Sequence, residues 1–227
     1  MSNSYNHNGT EFGITSGNLQ AGSTPAAVAV DALTLGVVSA DQIQPSGPQA
    51  RVEIVFIEDN VGDIATLLQS VGTGREVHVL DSRLDGLEQM ASILQGRENI
   101  DALHLISHGK EASVNLGSLM LDATSAQSHA AELKTIGGAL TKGGDILLYG
   151  CDVGSGQGAA LVGQLAIMTG ADVAASSNLT GSSALNADWN LEISSGNIEA
   201  ASVGNAGLAA IYRDVLAISN ATLNFNT

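Results

Sequence analysis

From Arg51 onward, short apolar runs alternate with segments whose apolar residues return every three or four positions. RVEIVFIED (51–59) reads as a strand and VGDIATLLQSVG (61–72) as a helix closed by glycine. EVHVLD (76–81) is a second strand, and LDGLEQMASILQG (84–96) a second helix with Leu84, Leu87, Met90, Ile93 and Leu94 on one face. DALHLISHG (101–109) follows as a third strand, ASVNLGSLMLD (112–122) as a hairpin, and SAQSHAAELKTIGGAL (125–140) as a helix. DILLYGCDVG (145–154), GAALVGQLAIMTG (158–170) and ADVAASSN (171–178) give a strand, a helix and a strand. Strands that are apolar almost throughout and alternate with helices predict a mostly parallel central sheet, about five or six strands wide, with helices on both faces. ADWNLEISSGNIEA (187–200) reads as a two-stranded hairpin turning at Ser-Gly-Asn.

The pattern also sets the expected domain limits. Residues 1–50 are rich in Ser, Asn, Gly and Thr and end in prolines at Pro45 and Pro48, which predicts a flexible arm and linker. Residues 51–200 form the α/β domain, and 201–227 a tail or a linker to further domains. Ala26–Ala40 is apolar but interrupted by Asp31 and lacks a preceding basic residue, so it matches neither a signal peptide nor a membrane span.

In open parallel sheets, ligands bind beyond the carboxyl ends of the strands. Two such ends carry chemistry here. The third strand closes in Ser-His-Gly, with His108 and Gly109, and the fourth in Tyr-Gly-Cys-Asp, with Cys151, the single cysteine of the 227 residues. If these strands are neighbours, an imidazole and a thiol meet at one edge of the sheet. An imidazolium beside a thiol lowers its pKa and generates a nucleophilic thiolate. The amides of Gly109 and Cys151 are then placed to form an oxyanion hole. His104, on the same strand face as His108, reads as a packed structural histidine. Asp152 would raise the thiol pKa and is assigned a loop or capping role. The GSGQG run (154–158) lacks the endings of a phosphate loop and reads as a turn into the next helix.

A His-Gly closing one apolar strand and a Cys closing the next resemble the caspase-like cysteine peptidases, the group of clostripain, gingipain, legumain and separase. HLISHG, GGDILLYGCDVGSGQG, TGADVAASSNLTG and ADWNLE resemble, more closely, an uncharacterised domain near the start of very large bacterial surface adhesins, which continue into cadherin-like or calcium-binding repeats. The match covers about Arg51–Ala200. The resemblance implies a caspase-like three-layer sandwich, with Cys151 as nucleophile, His108 as general acid/base and the Gly109 and Cys151 amides as oxyanion hole. It also implies a polypeptide substrate, and an extracellular or cell-surface location reached without a recognisable signal peptide. The alternative is an inactive, peptidase-like anchoring module.

Charge narrows the partners. Twenty-three acidic against eight basic residues give a net charge of −15, which excludes nucleic acid and anionic membranes as expected partners. One cysteine and five dispersed histidines give no zinc motif, and no cofactor is expected. Calcium, as activator or structural ion, has no DxDxDG loop to hold it. Cleavage after Asp would require an arginine in the specificity pocket, with Arg75, Arg83 and Arg97 as candidates. The resemblance also disfavours cleavage after Arg, since the clostripain-like members that cut there have an acid just before the cysteine, where this chain has Tyr149 and Gly150. The flanks of the domain are the nearest substrates, with a cut expected within roughly 30 residues of Ala200 and Arg213 as its candidate if the pocket accepts Arg.

Overall fold

Alternation along each strand assigns its side chains to two opposite cores. The computed structural model describes residues 50–71 and 74–218. Its first strand, β1 (Glu53–Glu58), is buried along its whole length. Ile54 and Phe56 enter one apolar cluster, Val55 and Ile57 the other. A strand apolar on both faces has to be covered on both, and of the elements that follow, the helices α1 (Ile64–Val71) and α2 (Gly86–Leu94) cover faces while β2 (Glu76–Leu80) and β3 (Ile100–Ile106) flank it in the sheet. A small antiparallel sheet comes next, β4 (Gly109–Lys110), β5 (Ser113–Leu116) and β6 (Leu119–Leu121). The chain then forms α3 (Ala123–Ser128), α4 (Ala130–Ala139), β7 (Leu140–Tyr149), α5 (Gly158–Thr169), β8 (Asp172–Ala175), β9 (Ile193–Ser195) and α6 (Ala206–Ile211).

The central sheet has six strands in the order β2-β1-β3-β7-β8-β9, all parallel except β9. Leu87, Leu133 and Leu161, from α2, α4 and α5, pack against one face. Leu67 from α1 and Leu208 from α6 pack against the other. The result is a mixed α/β sandwich of three layers, as the apolar strands predict. Among the described residues no helix is long and apolar enough to cross a membrane.

Local chemistry sets the element ends. Asp85 caps α2 by accepting the Glu88 amide, and α5 stops at Gly170, whose φ of 74° is a left-handed conformation that glycine adopts freely. The helix expected over 125–140 is instead two, α3 and α4, broken at His129. His129 donates its ring Nδ1–H to the Ser125 carbonyl (2.8 Å) and faces the Asp85 carboxylate with Nε2 (3.1 Å). The Ser125 carbonyl thus takes both the His129 amide (3.1 Å) and its ring, and the side chain ties the break between the helices to Asp85.

Two expectations are corrected. The hairpin over 187–200 does not form: β9 pairs with β8, while the returning residues bond to a side chain, the Glu199 and Ala200 amides both donating to the Asp145 carboxylate (3.1 and 2.8 Å). The domain also does not end at Ala200. Val203, Leu208, Tyr212 and Leu216 are buried in the same core as α1, so the expected tail is part of the folded unit through the last described residues. The arm expected over 1–50 lies, save Ala50, outside the described residues, as do residues 219–227.

Candidate active site

β3 and β7 are neighbours in parallel register, with Ile106 opposite Tyr149, and the Ser107 amide extends the ladder to the Tyr149 carbonyl (3.0 Å). Two residues beyond that pair stand His108 and Cys151, so the sequence-predicted residues lie on adjacent strand ends at the carboxyl edge of the sheet. Glycine makes the approach possible. A Cβ on Gly109 would lie 2.5 Å from Val153 Cγ2 and 2.7 Å from the Cys151 carbonyl oxygen. Bare backbone here lets the two strand ends close on each other, a role distinct from admitting a substrate.

His108 is half-buried. Its Nε2 lies 3.3 Å from the Asn60 carbonyl oxygen, an obligate acceptor, so Nε2 carries a proton, and in the tautomer that bears this proton alone the lone pair is on Nδ1. Nδ1 is buried and has no hydrogen-bond partner among the described residues. The main-chain carbonyl of Asn60 thus holds the imidazole in place. Nothing in the sequence marks it, because any residue in the turn after β1 supplies a carbonyl.

Cys151 is fully buried. Its sulfur accepts the Thr180 amide (3.3 Å) and lies 3.6 Å from the Thr180 carbonyl, toward which the S–H points. Burial pushes the thiol pKa up and the neighbouring Asp152 charge pushes it further, outweighing the Thr180 and Leu216 backbone contacts. Among the described residues no hydrogen bond joins the His108 ring to the sulfur. The thiol is therefore held protonated in this arrangement, opposite to the expected imidazolium-stabilised thiolate. Asp152 itself occupies a left-handed turn position (φ 60°), with its amide on the Asn178 carbonyl (2.8 Å).

The amides of Gly109 and Cys151, expected to form an oxyanion hole, converge on one acceptor. Both donate to the carbonyl oxygen of Leu216, at 2.8 and 3.0 Å. The peptide they grip belongs to the C-terminal segment that the sequence reading placed outside the domain. Beside it, Asn60, His108, Asn115, Met120, Ala217 and Ile218 line an open cleft of ≈ 290 Å³. The three arginines considered for a specificity pocket are engaged elsewhere: Arg75 with Glu53, Arg83 with Asp81 and Arg97 with Glu76.

His104 lies behind the site, fully buried. Its Nε2 bonds Glu53 (3.2 Å) and its Nδ1 faces the Tyr149 hydroxyl (3.4 Å), which in turn accepts the Val203 amide (3.1 Å). Burial lowers its pKa and keeps the ring neutral, while the His104 bond and Arg75 hold the Glu53 carboxyl down at about 2. At the opposite end of the strands, Asp145, Asp172 and Glu199 bring carboxylate oxygens within 4.8 Å of one another. These residues could hold a cation. The Arg51 guanidinium already lies 3.1 Å from Asp145 Oδ2 and supplies positive charge there. The cluster is separate from the Cys151 edge.

No curated protein and no solved structure gives a significant match to the chain. The family model that does match covers residues 54–216, a span that includes His108, Cys151 and the Leu216 carbonyl held by the Gly109 and Cys151 amides. The chain belongs to this family, DUF4347, described as a domain of unknown function.

Proposed function

We propose that the domain is a cysteine endopeptidase of caspase-like type, with Cys151 as nucleophile and His108 as general acid/base. The observation that carries this reading is the pair of amides, Gly109 and Cys151, closed on one peptide carbonyl at the residue that bears the thiol. Attack by sulfur on that carbon places the developing negative charge between two fixed donors, and one such donor is worth about 10²–10³ in rate. His108, with its Nδ1 lone pair unpartnered, accepts the thiol proton and returns it to the departing amine. The substrate is an extended polypeptide, because the groups around the thiol that make these contacts are main-chain donors and acceptors.

One observation favours a second reading, an inactive anchoring module: the thiol is sealed and its pKa raised. A chloromethyl ketone built on a short peptide separates the two. Fast alkylation of Cys151, slowed about 100-fold or more in His108→Ala, supports the enzyme. Slow alkylation that is equal in both chains, and stays so when Leu216→Asp displaces the segment on the two amides, would overturn it.

A further inference from the structure

Residues 214–218 cross the carboxyl edge of the sheet as an extended segment with a neighbour on each side. On one side Val215 bridges antiparallel to Gly181. The Leu216 amide donates to the Thr180 carbonyl (2.9 Å), and the Ser182 amide to the Asp214 carbonyl (2.9 Å). On the other side Ala217 bridges parallel to Gly109, whose amide holds the Leu216 carbonyl and whose carbonyl accepts the Ile218 amide (3.2 Å). This is the way an extended peptide docks by adding a strand. The neighbour is shaped for it: at Gly181 (φ 142°) a Cβ would lie 2.4 Å from the Asp214 carbonyl oxygen and 2.8 Å from Val215 Cα.

The side chains divide around one peptide bond. Leu216 is fully buried in the apolar cluster that also holds Cys151, Trp189 and Tyr212. Ala217 and Ile218 face the cleft that contains His108. The Ala217 amide takes part in none of the backbone bonds that clamp the segment. A carbonyl between two donors, an aliphatic residue in a pocket before it and, beyond it on the cleft side, an amide nitrogen that takes no hydrogen bond among the described residues are what a seated scissile bond requires.

Resting on the peptidase reading, we propose that this segment is the domain's own substrate strand, that the bond cleaved is Leu216–Ala217, and that the pocket ahead of the bond selects an aliphatic side chain. The Cys151 sulfur attacks the Leu216 carbonyl carbon as its proton passes to His108. The tetrahedral oxyanion is held by the Gly109 and Cys151 amides. It collapses with loss of the C–N bond, and the Ala217 nitrogen leaves with the proton from His108. The resulting Leu216 thioester is opened by water, which gives a Leu216 carboxylate and regenerates the thiol. Being on the same chain, the strand meets the thiol at an effective concentration up to about millimolar. The cut falls inside the expected window after Ala200, but three residues beyond Arg213, whose side chain is exposed.

Incubation of the whole 227-residue chain, read by intact mass, tests the assignment. Wild type is expected to yield fragments 1–216 and 217–227, and Cys151→Ala to stay whole. Ala217→Pro, which removes no clamping hydrogen bond, is expected to slow the cut about 100-fold or more, the proline nitrogen being a constrained and poorly protonated leaving group. Arg213→Ala is expected to cleave as wild type. A Cys151-dependent cut at another bond, or abolished by Arg213→Ala, overturns the Leu216–Ala217 assignment and leaves the peptidase standing. If the wild-type chain stays whole, a leucyl chloromethyl ketone is applied to Leu216→Asp, whose charged side chain no longer fits the apolar pocket, and to Ala217→Pro in parallel. Labelling that depends on His108 then makes the segment a resident strand and overturns the inference alone. Absence of both cleavage and labelling takes the peptidase reading with it.

Discussion

Cys151 is kept in its protonated form by the burial that positions it, so on the peptidase reading proposed above the sulfur would become a nucleophile only as His108 removes its proton. The linkage has a definite sign. A thiol whose folded-state pKa lies above its unfolded value contributes stability below the unfolded pKa, about 8.5, and that contribution is lost as pH rises beyond it. Iodoacetamide is accordingly expected to alkylate the native thiol more slowly than a free cysteine at pH 8, with the difference removed in urea. Equal rates in both conditions would contradict the sealed site. Glu58 gives a second pH effect. Its side chain is fully buried, Oε1 accepts the Gly117 amide at 2.8 Å, and Oε2 has no partner among the described residues. Burial, reinforced by Asp59 and Asp81, pushes this carboxyl from 4.5 up to about 7. The contribution is complete below pH 4.5 and falls away as pH rises toward 7, by at most about 3 kcal/mol. Glu58→Gln retains the acceptor for Gly117 and is expected to raise the melting temperature at pH 8 by about 5 °C or more, with little change at pH 4. Thermal unfolding across pH checks both limbs.

At the scale of elements, the site exists because β3 and β7 lie side by side in register, and this much the chain makes legible. Strands buried on both faces are apolar almost throughout, so β1, β3 and β7 announce themselves, and two strand ends carrying His-Gly and Gly-Cys fall at one edge. What stayed hidden depends on contacts between residues far apart in sequence. The hairpin over 187–200 fails because the Asp145 carboxylate, on a strand more than fifty residues earlier, takes the amides that a second strand would have used. The Leu216 carbonyl held by the Gly109 and Cys151 amides and the Asn60 carbonyl beside His108 are backbone groups, which leave no mark on composition. Asp145→Ala is therefore expected to release the Glu199 and Ala200 amides and the Arg51 guanidinium together, at a cost of about 2–3 kcal/mol in urea unfolding. A loss below about 0.5 kcal/mol would mean that another group holds the 199–200 turn. Gly181→Ala tests the other flank of the site. Its Cβ would meet the Asp214–Val215 backbone at 2.4–2.8 Å, so the strand has to lift, and Cys151 is expected to become accessible to alkylation.

For the whole molecule, the segment beyond Ala200 closes one of the two cores. Val203, Leu208, Tyr212 and Leu216 are each at least 95% buried. Trp189 meets Tyr212 edge-on, with ring centroids 5.6 Å apart, and the Tyr212 hydroxyl donates to the Gly62 carbonyl at 2.9 Å. Together they cover the sheet face on which α1 alone is too short to exclude water. Fully burying one such side chain contributes about 1.5–3 kcal/mol, so four of them supply on the order of 6–12 kcal/mol against a domain stability of about 5–15 kcal/mol. Removing them leaves little margin, and the newly exposed apolar face invites association. A chain ended at Ala200, the boundary that the sequence pattern suggests, is expected to lose its cooperative thermal transition and to aggregate, whereas one ended after Ile218 retains both fold and transition. The same reasoning bears on cleavage at Leu216–Ala217. The cut leaves Val203 through Leu216 attached, so the fragment ending at Leu216 is expected to remain folded, with a melting temperature within about 5 °C of Cys151→Ala, because what it loses is the clamp at Ala217 and Ile218 and not the core. Calorimetry of the two truncated chains beside Cys151→Ala decides the point. A stable chain ending at Ala200 would show that the second core closes without its C-terminal segment, and would remove the structural reason for a substrate strand anchored so firmly ahead of the bond it presents.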